Sequence, residues 1–449
     1  MSKTAWSAWC LICLSMAAAL LPKAGVEPRQ WQWSALGISV AALFALAGRG
    51  EQHTARRLQW DLYLLGALLA WMAFQMIPLP PGLVQALSPE RWSAAAAARE
   101  MTGRPVGAWL QISANPTVSF FTLVKVLPAM AAFVAARQLS LAWRDRIWLL
   151  LAPVLALAWL ESLLGIAQFG SMRSSADIRH ISGTFINPNH FAGLLEMSFP
   201  LVLMWAAAIY RKRTGSGVHS PRTALQLSVL LGVGACLLAA ITMSRSRMGF
   251  VSTLAALWLM AALLLSSNAQ SRPRRRRRLW LVLSIALPVC LLVFLPTPEL
   301  LSKFASSAVQ EDGRLSIWKY SLRVIASYPY TGCGLGAFES GSFFHKDALP
   351  MNSVKYAHND YLQILAELGA AGFLLMGILV GRVLFRLSAF VLSHRESQHW
   401  ETAAGLLGGL LALSAHSLAD FNLYVPVNAL VAAWLMGAAS TLGVREREE

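Results

Sequence analysis

Apolar runs of roughly 20 residues, the length a helix needs to cross about 30 Å of hydrocarbon, recur along this chain from end to end. That recurrence restricts the possible folds more than any other feature. In a bilayer each backbone N–H and C=O must find its partner within the protein, which leaves helices or closed barrels. Unbroken apolar runs, as opposed to an alternation with period two, select helices. The runs fall at 6–21, 31–46, 62–77, 119–136, 147–169, 191–209, 225–243, 248–266, 279–295, 362–381, 403–419 and 427–442. They predict an all-α, polytopic integral membrane protein of about twelve transmembrane helices. The first run follows Lys3 as a signal peptide would, but no A-x-A-like cleavage site succeeds it, so it reads as an anchor. Composition agrees, with 56% hydrophobic and 13% charged residues and 17 tryptophans.

Lysine and arginine set the orientation, because basic loops resist translocation. With the N-terminus in the cytoplasm, the inner loops hold Arg49, Arg56 and Arg57; Arg137, Arg144 and Arg146; Arg211, Lys212 and Arg213; the run from Arg272 to Arg278, broken only by Pro273; Arg382, Arg386 and Arg395; and Arg445 with Arg447. The C-terminus is then cytoplasmic too. A net charge of +16 suggests nucleic acid at first sight, but the arginine run separates two apolar spans, so topology control is the better reading and no nucleic acid is expected. Of the five cysteines, only Cys333 lies in a loop, so no disulfide framework is expected. Cys10 and Cys13 form a C-x-x-C in an apolar helix, without the electropositive setting that activates thiolates.

This topology puts three substantial loops outside, 78–117, 170–189 and 297–361, and a tight turn at 244–247. The inner loops are short and basic, so the work belongs to the outer face. The chain reads as one membrane domain over 1–449, with spans one to nine within 6–296, the large loop at 297–361, and spans ten to twelve within 362–442.

In the large loop, Asp312 can cap an amphipathic helix with Leu315, Trp318, Leu322 and Ile325 on one face and Arg314, Lys319 and Arg323 on flanking surface, lying on the membrane and ending near Tyr328 and Pro329. The segment Thr331-Gly-Cys-Gly-Leu-Gly336 follows, which could cradle phosphate on its N–H groups or serve as a plain turn. Asn359 or Asp360 is suited to cap the tenth span, placing His358 where free N–H groups and the helix dipole favour an anion. Arg179 and His180 lead to Asn189, a candidate cap for the sixth span. Arg245 and Arg247 share the tight outer turn, against the positive-inside trend, as they would if they faced a wet cavity, bound an anion or snorkelled to headgroups. Lys125 and Glu161 lie deeper, at similar depth on adjacent spans, and could pair.

The motifs at 183–192 (GTFINPNHFA), 244–249 (SRSRMG), 314–318 (RLSIW), 329–338 (PYTGCGLGAF) and 358–369 (HNDYLQILAELG) resemble those of the O-antigen ligase and polysaccharide polymerase superfamily in kind, order and position relative to the spans. The resemblance is clear from about Gly170 to Asn428 and rests before that only on the polytopic pattern. It implies a glycosyltransferase C-type enzyme of the bacterial inner membrane, with a periplasmic active site and an undecaprenyl-diphosphate-linked glycan donor. The acceptor it implies is a lipid A core, another lipid-linked repeat unit or a protein hydroxyl. Arg245 or Arg247, Arg314 and His358 stand at positions resembling the family's functional arginines and histidine.

Residue chemistry fits that implication. Guanidinium groups can hold a departing diphosphate without a metal, and a neutral histidine can take the proton of an attacking hydroxyl. The expected assignment is His358 and Arg314 as catalytic residues, Arg245, Arg247 and Arg179 on the donor diphosphate, and Asn189 and Asp360 in support, with no metal and no cofactor. Direct displacement would invert the anomeric centre. Expected partners are the lipid-linked donor, a glycan or lipid A core acceptor, membrane lipid and, as a further candidate, a chain-length regulator. The ending from Ser417 to Pro426 resembles exopolysaccharide polymerases somewhat more than ligases. Protein O-oligosaccharyl transfer, a polysaccharide transporter or flippase, and a non-catalytic scaffold are the competing readings.

Overall fold

The computed structural model describes residues 3–20, 23–26, 28–47, 56–103, 109–171, 180–214, 220–267, 307–342 and 354–442. Among these residues the fold is helical, apart from one isolated bridge between Leu79 and Leu110. In chain order the helices are α1 (Lys3–Leu20), α2 (Pro28–Ala47), α3 (Arg56–Phe74), α4 (Pro81–Leu87), α5 (Pro89–Thr102), α6 (Pro116–Ala142), α7 (Ile147–Ser171), α8 (Pro188–Thr214), α9 (Pro221–Met243), α10 (Arg247–Ser267), α11 (Ser307–Ser327), α12 (Phe338–Ser342), α13 (Asp360–Ser393), α14 (Trp400–His416) and α15 (Pro426–Ala439). Every expected span but the ninth coincides with one of them; the ninth, at 279–295, lies outside the described residues, as does the arginine run. Among the described residues, seven helices are long and apolar enough to cross a membrane. The chain is an all-α polytopic membrane protein.

Local sequence starts several of these helices. Asn115 accepts the Val118 N–H at the head of α6 and Ser220 accepts the Thr223 N–H at the head of α9, each with proline at the first helical position, where a missing N–H costs nothing. At the head of α8 the Asn187 side chain accepts the Asn189 N–H, so Asn187, and not Asn189, supports that helix start. The helix holding Arg314 begins at Ser307, so Asp312 lies inside it and does not cap it.

Helices α8 and α14 are buried over much of their length. They run side by side, with α10 against both and α15 packed on α6. Lipid supplies no hydrophobic drive for helices to associate, so their contact depends on close backbone approach at small residues. Gly409 of α14 meets the Met197 carbonyl of α8, at a distance where a Cβ would collide with it.

The longest helix, α13, is broken at Gly369, which has φ +64° about 14 Å along the axis from its first residue. The segment after α11 fills the break. Cys333 and Gly334 N–H donate to the Ala366 and Glu367 carbonyls at 2.9 and 3.0 Å, and Ala370 and Ala371 N–H donate to the Pro329 and Tyr330 carbonyls at 2.8 and 3.3 Å. Trp71 Nε1 donates to the Leu368 carbonyl, and Gln75 Nε2 to the carbonyls of Glu367 and Thr331. In hydrocarbon each such group left unmet costs several kcal/mol, so an interrupted span persists only with substitute partners of this kind.

The glycine-rich segment is therefore neither phosphate cradle nor plain flexible turn. Besides the two bonds above, Leu335 N–H donates to Gln75 Oε1 and Gly336 N–H to Glu367 Oε2. With the Gly332 N–H on the Tyr328 carbonyl, the backbone donors from Gly332 to Gly336 are already occupied.

Candidate active site

The first residues of α13 face the turn after α14, and the polar groups of the two segments interlock. Asn359 caps α13, its side chain accepting the Tyr361 and Leu362 N–H groups while its Nδ2 donates to the Leu418 carbonyl. Asp360 N–H donates to the carbonyls of Ser417 and Asp420. Its carboxylate, 1% exposed, accepts Ser417 Oγ at 2.7 Å and the Leu423 N–H. Asp360 thus acts as a lock between segments.

This docking forces His358 into left-handed backbone, φ +50°. A non-glycine residue pays about 1–2 kcal/mol for that conformation. Arg245 is held likewise at φ +57°, and such outliers concentrate at functional sites. The half-buried His358 ring packs edge-on against Phe421, which stacks face to face on Tyr356 at 4.3 Å and meets the His190 ring edge-on at 4.7 Å.

Asp420 is the hub. Its Oδ1 lies 3.4 Å from His190 Nε2 and 3.9 Å from His358 Nδ1, and its Oδ2 accepts Asn189 Nδ2 at 2.6 Å. Burial opposes ionisation of Asp420, but the contact and charge of His190, the charge of His416 and the Phe421 N–H together hold its carboxyl below the usual range. His358 Nδ1 is within ion-pair range but makes no hydrogen bond. Burial lowers the pKa of His358; the charges of Arg314 and His190 lower it further, and Asp420 opposes them. The imidazole is accordingly neutral and basic at pH 7.

Of the expected site residues, His358, Asp360 and Asn189 share one cluster, and the Arg314 charge reaches it. Asn189 enters by bonding Asp420. Arg245 and Arg247 are half-buried in a turn fixed by serines: Ser244 Oγ donates to the Ile241 carbonyl, and Ser246 Oγ accepts the Gly249 N–H at the head of α10. The two serines point inward and are almost wholly buried. Arg179 lies outside the described residues.

One further expectation fails. Glu161 does not pair with Lys125; its carboxylate accepts the Thr184 N–H and Oγ1, while Gln168 brackets the Gly183 backbone, so both side chains of α7 hold the 183–184 turn. Lys125 is exposed on α6. On α11 the side packed into the protein bears Tyr320, Ser321 and Val324, with Tyr328 just past its end, whereas Leu315 and Leu322 are exposed on the face expected to meet the membrane.

Two residues of the cluster were not singled out from sequence. Asp420 stood in the segment noted only for its likeness to polymerases, and His190 inside the 183–192 motif. The usable signal was an acidic residue at the mouth of an apolar span, where a charge needs a reason.

This geometry can be set beside known proteins. Residues 232–377 match the family model described as O-antigen ligase. Over that stretch the chain is O-antigen ligase-like. The matched stretch contains Arg245, Arg247, Arg314, His358, Asp360 and the break at Gly369, whereas Asn189, His190 and Asp420 lie beyond it. No curated protein matches the chain.

Proposed function

We propose that this O-antigen ligase-like protein transfers a glycan from an undecaprenyl-diphosphate-linked donor to an acceptor hydroxyl at the periplasmic face of the bacterial inner membrane, in cell-surface polysaccharide synthesis. The observation that carries this reading is His358, held in strained backbone beside the buried carboxylate of Asp420 and within reach of the Arg314 charge. Asp420 on the Nδ1 side leaves Nε2 to accept the acceptor's proton. As that proton leaves, the hydroxyl oxygen attacks the anomeric carbon, the bond from that carbon to the phosphate oxygen breaks, and the diphosphate departs with the electron pair. Configuration inverts. Arg314, Arg245 and Arg247, with Arg179, carry the leaving group's charge, which fixed guanidiniums do without a metal. The acceptor is a growing glycan in a polymerase or a lipid A core in a ligase; a protein hydroxyl is the third option.

One observation favours transport instead, since interrupted spans are a transporter feature. Here the groups freed at Gly369 are bonded to the protein's own loop, which leaves them no cargo to coordinate.

The test is a deletion strain in which lipopolysaccharide, secreted polysaccharide and the lipid-linked glycan pool are measured together, with complementation by wild type and His358→Ala. Long lipid-linked polymer beside bare lipid A core marks a ligase. Single repeat units on the carrier with loss of long polymer mark a polymerase. Unchanged pools, or full complementation by His358→Ala, overturn the proposal.

A further inference from the structure

Below the site, three helices meet at a second polar cluster that takes no part in the transfer chemistry. Glu196 of α8 faces His416 of α14, whose Nδ1 lies 3.0 Å from both carboxylate oxygens, and Ser252 of α10 donates its hydroxyl to the same carboxylate. All three residues are fully buried, and His416 Nε2 has no hydrogen-bond partner. Stability is a poor reason for such a cluster. Desolvating the pair offsets its attraction, and apolar side chains of similar volume commonly pack as well or better.

Its place in the chain gives a better reason. His416 is the last residue of α14, and the next four residues form the turn that ends in Asp420. That turn also accepts the Asp360 N–H and Asn359 Nδ2, and its Ser417 Oγ donates to the Asp360 carboxylate, so it positions the whole His358 segment. Glu196 lies on the helix whose first turn supplies Asn189 and His190, the partners of Asp420 on its other side. One buried bond therefore ties both flanks of Asp420 together. The charged groups facing His416 are Glu196, Asp420 and Asp360.

We propose that Glu196 and His416 are positioning residues that fix the rotation of α14 against α8 and thereby the place of Asp420 beside His358. The role rests on the transfer reading above. A displacement of about 1 Å at a reacting group can lower a rate by roughly 100-fold, so loss of this tie is felt in turnover before it is felt in binding.

The experiment uses the full-length protein in proteoliposomes, with lipid-linked glycan extracted from the deletion strain as donor. His416→Ala is expected to lower kcat by about 100-fold with KM for donor and acceptor unchanged within about twofold. The acidic limb of its pH–rate profile moves to lower pH, because the Asp420 charge that supports protonation of His358 is no longer held in place. His416→Gln, which can still donate to Glu196, recovers most of kcat. Should His416→Ala fail to insert, Ser252→Ala removes one bond to Glu196 without opening a large cavity, and is expected to move the limb in the same direction with a smaller loss. A limb that stays put, a change confined to KM, or equal losses in His416→Ala and His416→Gln overturn the inference. His358→Ala and Asp420→Asn run in parallel: if both transfer at the wild-type rate, the transfer reading itself has failed, whereas if both are inactive and His416→Ala is normal, only the positioning role has.

Discussion

The two ends of the short first segment of α13 treat polar groups in opposite ways. At Gly369 the backbone breaks, and the carbonyls of Ala366, Glu367 and Leu368 and the N–H groups of Ala370 and Ala371 are all bonded to neighbouring segments. At the other end His358 sits in strained backbone, and neither its Nδ1 nor His190 Nε2 makes a hydrogen bond. Nine-tenths or more of buried polar groups in folded proteins are satisfied, so the first end is what stability alone produces and the second is an exception held in place by its surroundings. The difference separates the scaffold from the chemistry more sharply than residue type does, since both ends are rich in polar groups and close backbone packing.

The comparison breaks most visibly at His358. Replacing it with glycine should lower transfer by about 10²- to 10⁴-fold, the usual share of a general base. The thermal midpoint in detergent should stay level or rise, because glycine adopts positive φ without the cost of about 1–2 kcal/mol. A falling midpoint would remove the claim of strain. The complementary change, Gly369→Ala, should do the reverse. A Cβ there meets the Tyr330 carbonyl and the Gly332 N, so folded yield and thermal midpoint fall, and the specific activity of what does fold stays within a few-fold of wild type.

Smaller effects sharpen the electrostatics of the site. Asp420 favours the protonated form of His358 and Arg314 disfavours it. A base is inactive when protonated, so the acidic limb of the pH–rate profile follows the His358 pKa. Asp420→Asn should therefore shift that limb to lower pH and Arg314→Gln to higher pH, each with reduced kcat. Shifts in the same direction would show that the two residues do not act on the base with opposite sign. The smallest effect is expected at Lys125, where glutamine should leave the thermal midpoint unchanged, while Glu161→Gln lowers it by weakening the Thr184 bonds.

Much of the fold was legible because a bilayer leaves a segment few options. Every described apolar run is a helix, and the end of α11 at Ser327 and the Asn359 cap were readable from short-range signals. Caps set by longer context were missed, since Asn189 has the composition of a cap but spends its side chain on Asp420. Of the candidate cluster, His358, Asn189 and Asp360, with Arg314 whose charge reaches it, were named from sequence as residue types. Its centre was not, because Asp420 lies far along the chain from His358 and becomes its neighbour only when the turn after α14 docks on the head of α13.

The sequence alone determined that this protein lives in a membrane as a bundle of helices, because hydrocarbon imposes run length and backbone satisfaction on each segment independently. Tertiary structure decided which polar residues are consumed in holding that bundle together and which are left for chemistry. Gln75, Glu161, Glu367 and the glycine-rich loop went to the first use, and His358, His190 and Asp420 form the cluster proposed for the second. The reason is physical: whether a buried polar group is satisfied depends on partners brought from elsewhere in the chain, and spacing along the sequence does not encode that pairing.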